Sequence, residues 1–417
     1  MEDIFEEWDI YAKKKQLRDR KVDFDGIEKN SKMKIIAITG VRRLGKSSIL
    51  ILLRQKLHKE NKKSSYINLE DSRIKNNLNI LDNILKWFGE EGYLLLDEIT
   101  SINDWEGWLS RNHEMLKGKL NLIISSSRKS LVIPNKPLRG RILPYEFYPL
   151  DFKEFLEFNG IKIEKTTIGI GKIEKALEKY ILYGGFPEVV LSQDNTDKVK
   201  ILNSYFKDIM GLDVAELSKE DLTNVEIFSK YVIESTYFSA SKCLNFMKTL
   251  GMKIAKQSIL NLEKFSQMSY LLFFAPIFSN NIKDRAQYPR KCYVGDTGLI
   301  NAITGKKDFG KLYENIVFLE LKRKLKENQE INYWKNYKQE EVDFIIREGL
   351  KVKEITQVAY ELAEEKTMQR ELKSLISCAK EFNLKEVRVI NKDIEDKRTI
   401  EGIKVNFIKL WKWLLYH

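Results

Sequence analysis

The chain has 417 residues, 43% of them hydrophobic, with a formal charge of +12 and a pI near 9.2. That is ample for globular folding, too long for a single core, and basic enough to favour a polyanionic partner such as nucleic acid. Cys243, Cys292 and Cys378 lie far apart without a CxxC pair, which excludes a disulfide framework or a zinc knuckle; with few histidines, oxygen ligands are expected for any metal. The longest apolar run, Leu271 to Phe278, is too short to span a bilayer, and Met1-Glu2-Asp3 opens no apolar leader. A soluble cytoplasmic protein without a membrane partner is therefore expected.

In chain order, residues 5 to 30 carry mixed charge and are expected to form a solvated helix, the alternative being that Arg18 and Arg20 lie against a nucleotide base. A strand is predicted over Lys34 to Thr39. It runs into Gly40-Val41-Arg42-Arg43-Leu44-Gly45-Lys46-Ser47-Ser48, which fits GxxxxGK[ST] and precedes an apolar helical run. Glycines let successive N–H groups turn towards phosphate oxygens, Lys46 reaches the β- and γ-phosphates, and Ser47 is left for Mg²⁺. Gly40 to Ser48 are thus the expected ATP-binding residues.

Ser64 to Asp71 reads as a short strand ending in carboxylates, followed by a helix over Ile80 to Trp87. Tyr93-Leu94-Leu95-Leu96-Asp97-Glu98 reads as a buried parallel strand whose end presents two acids, about fifty residues after the glycine-rich loop. Asp97 is the expected Mg²⁺ partner, and Glu98 the base that polarises the attacking water. A strand over Leu120 to Ile124 ends in Ser125-Ser126-Ser127-Arg128; one of these serines, taken as Ser126, is expected to sense the γ-phosphate. After Pro137, Arg139 and Arg141 suit transition-state charge, in cis or from a neighbouring subunit; pinning a loop to a carboxylate is the other reading.

Gly40 to Lys46, Leu96-Asp97-Glu98, Leu138-Arg139-Gly140-Arg141 ahead of Tyr148-Pro149-Leu150, and Gly184-Gly185-Phe186-Pro187-Glu188 together resemble the archaeal and bacterial AAA-type ATPase family that carries a C-terminal domain of unknown function. The resemblance implies an α/β P-loop core of the AAA+ or STAND kind, a helical lid, a winged helix and a nuclease-like domain. The expected boundaries are 1–157, 158–221, 222–300 and 301–417.

The middle of the chain agrees with that order. Apolar spacings of three and four from Asp151 to Leu217 predict helices, interrupted at Gly184-Gly185 by a hinge, a lid contact or a plain turn. Helices over Val225 to Thr236, Ser241 to Leu250 and Ile254 to Phe265, then the apolar Tyr270 to Phe278, suit a winged helix-turn-helix. Lys253, Lys256 and Gln257 open its last helix, with Lys283, Arg285 and Arg290 in or near the wing; DNA contact or a rigid spacer are the two readings. The Gly295-Asp296-Thr297-Gly298 segment reads only as a Gly-flanked turn.

Near the C-terminus, a helix bearing Glu314 and Glu320, followed by a strand bearing Asp343, resembles the PD-(D/E)xK nuclease fold. Gln357 and Ala359 then stand where an acid and a lysine belong, so a binding or structural descendant is expected. The leading reading is an Mg²⁺-dependent ATPase that moves a DNA-binding module. The alternative is a slow nucleotide switch in signalling or defence. Monomer and homo-oligomer are both compatible with the sequence.

Overall fold

The computed structural model describes residues 1–417 except 76, 78, 128–137 and 363. The chain divides into two compact units, Met1–Tyr148 with Met268–Tyr270, and Pro149–Gln267 with Leu271–His417. Among the described residues no helix is long and apolar enough to cross a membrane.

In the first unit, β1 (Ile35–Thr39), β2 (Ser64–Asn68), β3 (Gly92–Asp97), β4 (Leu120–Ser126) and β5 (Ile142–Glu146) form a sheet in the order β2-β3-β4-β1-β5. All four pairings are parallel. Every residue of β1 and β4 is buried, as expected of parallel strands covered on both faces; β1 reads as an almost continuous apolar run for that reason, while β4 also buries Asn121, Ser125 and Ser126. β5 is a strand that periodicity does not predict. Pro144 interrupts it, which is tolerated because β5 lies at the sheet edge.

The helix Glu2–Lys14 buries Phe5 and Ala12. Asp9 anchors it through two 2.9 Å bonds to the guanidinium of Arg54, which is only 2% exposed. The expected solvated helix does not continue: residues 15–23 are not helical, and the next helix, Phe24–Ser31, starts where the Asp23 side chain accepts from Gly26 N–H.

The second unit contains two sheets. The smaller is antiparallel, with β6 (Tyr237–Phe238), β7 (Leu272–Ala275) and β8 (Arg290–Val294) in the order β6-β8-β7. Helices Leu222–Glu234, Ala240–Thr249 and Lys256–Met268 accompany it. The larger has β9 (Gln329–Lys335), β10 (Glu341–Glu348), β11 (Lys351–Ala359), β12 (Glu386–Asn391), β13 (Asp396–Ile400) and β14 (Ile403–Lys409) in the order β13-β14-β12-β11-β10-β9. Helix Glu365–Glu381 packs Leu375, Cys378 and Ala379 into its core, and Trp411 and Trp413 of the terminal helix are buried, as expected of core aromatics.

Two turns from distant parts of this unit lock together. Gly185 N–H donates to one Asp296 oxygen at 2.7 Å and Gly298 N–H to the other at 2.8 Å. Gly184 has φ +72, and a Cβ there would sit 1.6 Å from the Asp296 carboxylate, so no larger residue fits. The Gly-Gly and Gly-Asp-Thr-Gly motifs are therefore two halves of one buried contact. Burial pushes the Asp296 carboxyl up to about 7, against the two N–H bonds that hold it down. The unfolded carboxyl titrates near 3.8, so its contribution to stability is fully present below that pH and is lost as pH rises through about 7. In urea titrations from pH 4.5 to 8, the stability of the wild type is expected to fall relative to that of Asp296→Asn; parallel pH profiles would count against this assignment.

Candidate nucleotide site

Because the first sheet is parallel, the C-terminal ends of its strands share one edge, the usual place for a ligand in such a fold. β1 leads into Gly40, β2 into Glu70, β3 into Asp97 and Glu98, and β4 into Ser125 to Ser127. Gly45, at φ +99, precedes the helix Lys46–Lys59. Val41 and Leu44 are buried, Ser47 is exposed, and Arg43 is exposed with φ +71. Ser48 lies in the first helical turn.

Lys46 is 5% exposed. Its ammonium donates to the Gly40 and Val41 carbonyls at 3.3 Å each and lies 3.6 Å from the Glu98 carboxylate. Glu98 has φ +50, an uncommon conformation for a residue with a side chain. It is held there because its N–H donates to Ser125 Oγ at 2.9 Å and its carboxylate accepts from Ser127 N–H at 3.2 Å. Asp97, 1% exposed, accepts from the Tyr66 phenol at 2.7 Å and from the Ser125 hydroxyl. The Ser47 side chain adjoins the Tyr66 phenol. The expected phosphate lysine, metal ligands and base thus meet at one edge. Their oxygens form a hard donor set that suits Mg²⁺ held by few side chains.

Of the three serines, Ser125 and Ser127 are the ones bonded to the acids. Strand alternation turns Ser126 the other way, where its hydroxyl lies 3.0 Å from that of Thr100. Arg128 and Pro137 fall outside the described residues. Arg139 is exposed, and Arg141 lies 3.3 Å from Glu114. Ile35 N–H, at the entrance of β1, donates to the Arg141 carbonyl at 2.9 Å. Both arginines therefore sit at the sheet edge opposite the loop, about 17 Å away along a five-residue strand. A role in cis is ruled out by that distance, and the loop-pinning or neighbouring-subunit readings remain.

Further residues complete the site, Tyr270 among them without any signal in the sequence and Arg20 as the alternative that the sequence offered. Arg20 donates to the Leu44 carbonyl at 2.9 Å and the Tyr148 carbonyl at 3.4 Å, so the N-terminal segment straps the loop. Tyr270 lies 3.0 Å from the Thr39 hydroxyl and donates to Glu146 at 2.9 Å. Glu70 lies 4.0 Å from Arg42, and Arg42 reaches Ser127 Oγ at 3.5 Å. Burial, and then the Glu98 charge, push the Glu70 carboxyl above its usual value. Its one advance signal is its place among the acids ending β2.

In the second unit the residues expected of a nuclease-like centre are arranged around an ammonium. Lys291 of β8, 2% exposed, lies 2.6 Å from Asp343 and 3.1 Å from both Glu314 and Glu341. Burial opposes its charge, but these carboxylates hold its pKa well above the ordinary lysine value. The Gln357 amide accepts from Asp343 N–H at 3.1 Å and donates to Glu371 at 2.6 Å. Glu320 pairs with Arg323 and Lys324 at 3.1 and 2.8 Å.

Residues 32–156 match the AAA domain family, residues 174–309 a domain of unknown function (DUF8612) and residues 309–412 another (DUF4143). The uncharacterized protein MJ1544 of Methanocaldococcus jannaschii is 33% identical over 401 residues, covering 92% of this chain and 88% of that protein. The chain belongs to the MJ1544 family. An uncharacterized Haemophilus influenzae protein is 25% identical over 395 residues, covering 90% of this chain and 94% of that one. AMPPCP-bound DnaA from Aquifex aeolicus is 14% identical, covering 58% of this chain and 85% of that one at a TM-score of 0.28, too slight a likeness to bear on this chain.

Within the MJ1544 family member described here, the first unit is an AAA domain of the P-loop ATPase kind. In that setting Lys46→Ala is expected to weaken ATP binding at least tenfold in calorimetry while leaving the melting temperature within a few degrees. Equal affinity in the variant would detach Lys46 from the nucleotide.

Proposed function

We propose that the chain binds ATP with Mg²⁺ and hydrolyses it at the edge of the first sheet. Lys46 neutralises the β- and γ-phosphates, Ser47 and Asp97 hold the metal directly or through water, and Glu98 polarises the attacking water. The observation that carries this reading is the 3.6 Å approach of Lys46 to Glu98, two side chains from separate loops. Glu98→Gln keeps the size and hydrogen bonding of the side chain but removes its basicity. Turnover is expected to fall roughly 100-fold or more with ATP affinity retained. A variant that hydrolyses ATP at the wild-type rate would remove Glu98 from the mechanism.

The ATP cycle acts, in this reading, on DNA held by the second unit. Three helices with a three-stranded sheet ordered β6-β8-β7 support reading this region as a winged helix. Lys253, Lys256, Gln257 and Lys264 are exposed along its last helix. Glu263, the acid on that helix, is buried and takes a 2.9 Å bond from Arg290. This removes a repulsive charge from the DNA side, and it also withdraws Arg290 from the phosphate contacts expected of it; Lys283 stays exposed. The C-terminal sheet is read as a nuclease-like domain without hydrolysis, because Lys291 occupies the carboxylate cluster and Gln357 and Ala359 replace the acid and lysine. Lys256→Glu with Lys264→Glu is expected to weaken binding to duplex DNA more than tenfold at low salt and to flatten its salt dependence. Slow turnover indifferent to DNA, with no gel shift in the wild type, would favour the nucleotide-switch reading.

A further inference from the structure

Tyr66 lies in the middle of β2 and is 1% exposed. A strand aromatic in that setting is ordinarily core, and its ring does pack edge-on against Trp8, 6.2 Å between centroids. Its hydroxyl, however, is spent on the site. It donates to Asp97 at 2.7 Å, and the Ser47 side chain adjoins it. Asp97's other oxygen accepts from Ser125, whose hydroxyl oxygen also receives the Glu98 N–H at 2.9 Å. Donors from β2 and β4 thus converge on Asp97, with Ser47 beside the phenol on one side and the Glu98 N–H on Ser125 on the other.

We infer that Tyr66 is a positioning residue that couples the two metal ligands, Ser47 and Asp97, and thereby sets the affinity of the nucleotide complex for its divalent cation. The inference rests on the proposed Mg²⁺-ATP reading. A carboxylate that accepts a hydroxyl on each oxygen is fixed in its plane and keeps lone pairs for the water shell of the metal. Groups that orient metal ligands in this way commonly change metal affinity 10- to 100-fold when removed. Tyr66→Phe deletes the hydroxyl and keeps the ring against Trp8, so the packing of β2 survives.

The test measures the affinity of the full chain for a fluorescent ATP analogue in EDTA and in Mg²⁺, and Mn²⁺ binding to the ATP complex by electron paramagnetic resonance. Tyr66→Phe is expected to leave the affinity in EDTA within about twofold and to weaken Mn²⁺ about tenfold. Ser47→Ala serves as the second variant. Because the phenol acts through Ser47 and Asp97, the Tyr66→Phe, Ser47→Ala double variant is expected to lose less than the sum of the two single losses. Unchanged Mn²⁺ affinity in Tyr66→Phe, equal losses with and without metal, or additive losses would overturn the role of Tyr66 and leave the ATPase reading standing. A wild type that binds ATP equally with and without Mg²⁺ would overturn both.

Discussion

An ammonium 5% exposed to water has to be paired, and the pairing of Lys46 organises the first unit. Its partners are two carbonyls of its own loop and the Glu98 carboxylate across the sheet edge. Glu98 can supply that carboxylate only by leaving β3 in a left-handed turn, and the turn persists because β4 offers it one hydroxyl and one N–H. β4 stands between β1 and β3, so a buried strand with no charge of its own decides how the charged ends of its neighbours meet. The chemistry of the site is thus inseparable from the strand order.

That dependence explains what could be read in advance. Gly40 to Ser47 and Asp97-Glu98 are legible because their spacing and apolar flanks are local, and local patterns survive into the fold. Tyr66 is not, and Ser125 and Arg20 are legible only as alternatives among others, because nothing in a single strand or loop says which neighbour it will face. Choosing Ser126 among three serines illustrates the limit: a one-residue step along a strand reverses the face, and only the hydroxyl of Thr100 reveals which way it turned. Pro144 hid β5 for a different reason, since a residue that argues against a central strand is acceptable at an edge. The two glycine motifs of the second unit were visible as motifs, but their purpose lies in what packs on them: Gly184 is small because Asp296 occupies its space, Gly185 because the Leu150 backbone does, and Gly298 because the Tyr183 backbone and Asp296 do.

The centre around Lys291 shows what a buried cluster of acids needs in order to persist. Three carboxylates converging on one point repel one another and require a cation. A divalent ion held by oxygens is one solution; an ammonium brought in on β8 is another, and it closes the centre with covalent permanence. Removing one partner from such a cluster strands the others, at a cost of about 3–5 kcal/mol. The carboxylates are therefore kept by stability alone, and acidic residues at this spacing do not by themselves argue for cleavage.

The placement of the arginines bears on how the ATP cycle is completed. Arg139 and Arg141 are attached to the entrance of β1, and the loop to its exit; no rearrangement short of dissolving the strand brings them to the same phosphate in one chain. If either acts on ATP, it acts on the ATP of a second copy, and turnover then rises with protein concentration. Arg42 and Arg20 are already at the correct edge, one touching Ser127 and the other strapping Leu44. A chain that supplies its own guanidinium from those positions turns over ATP at a rate independent of concentration, so the two arrangements differ in the order of the kinetics.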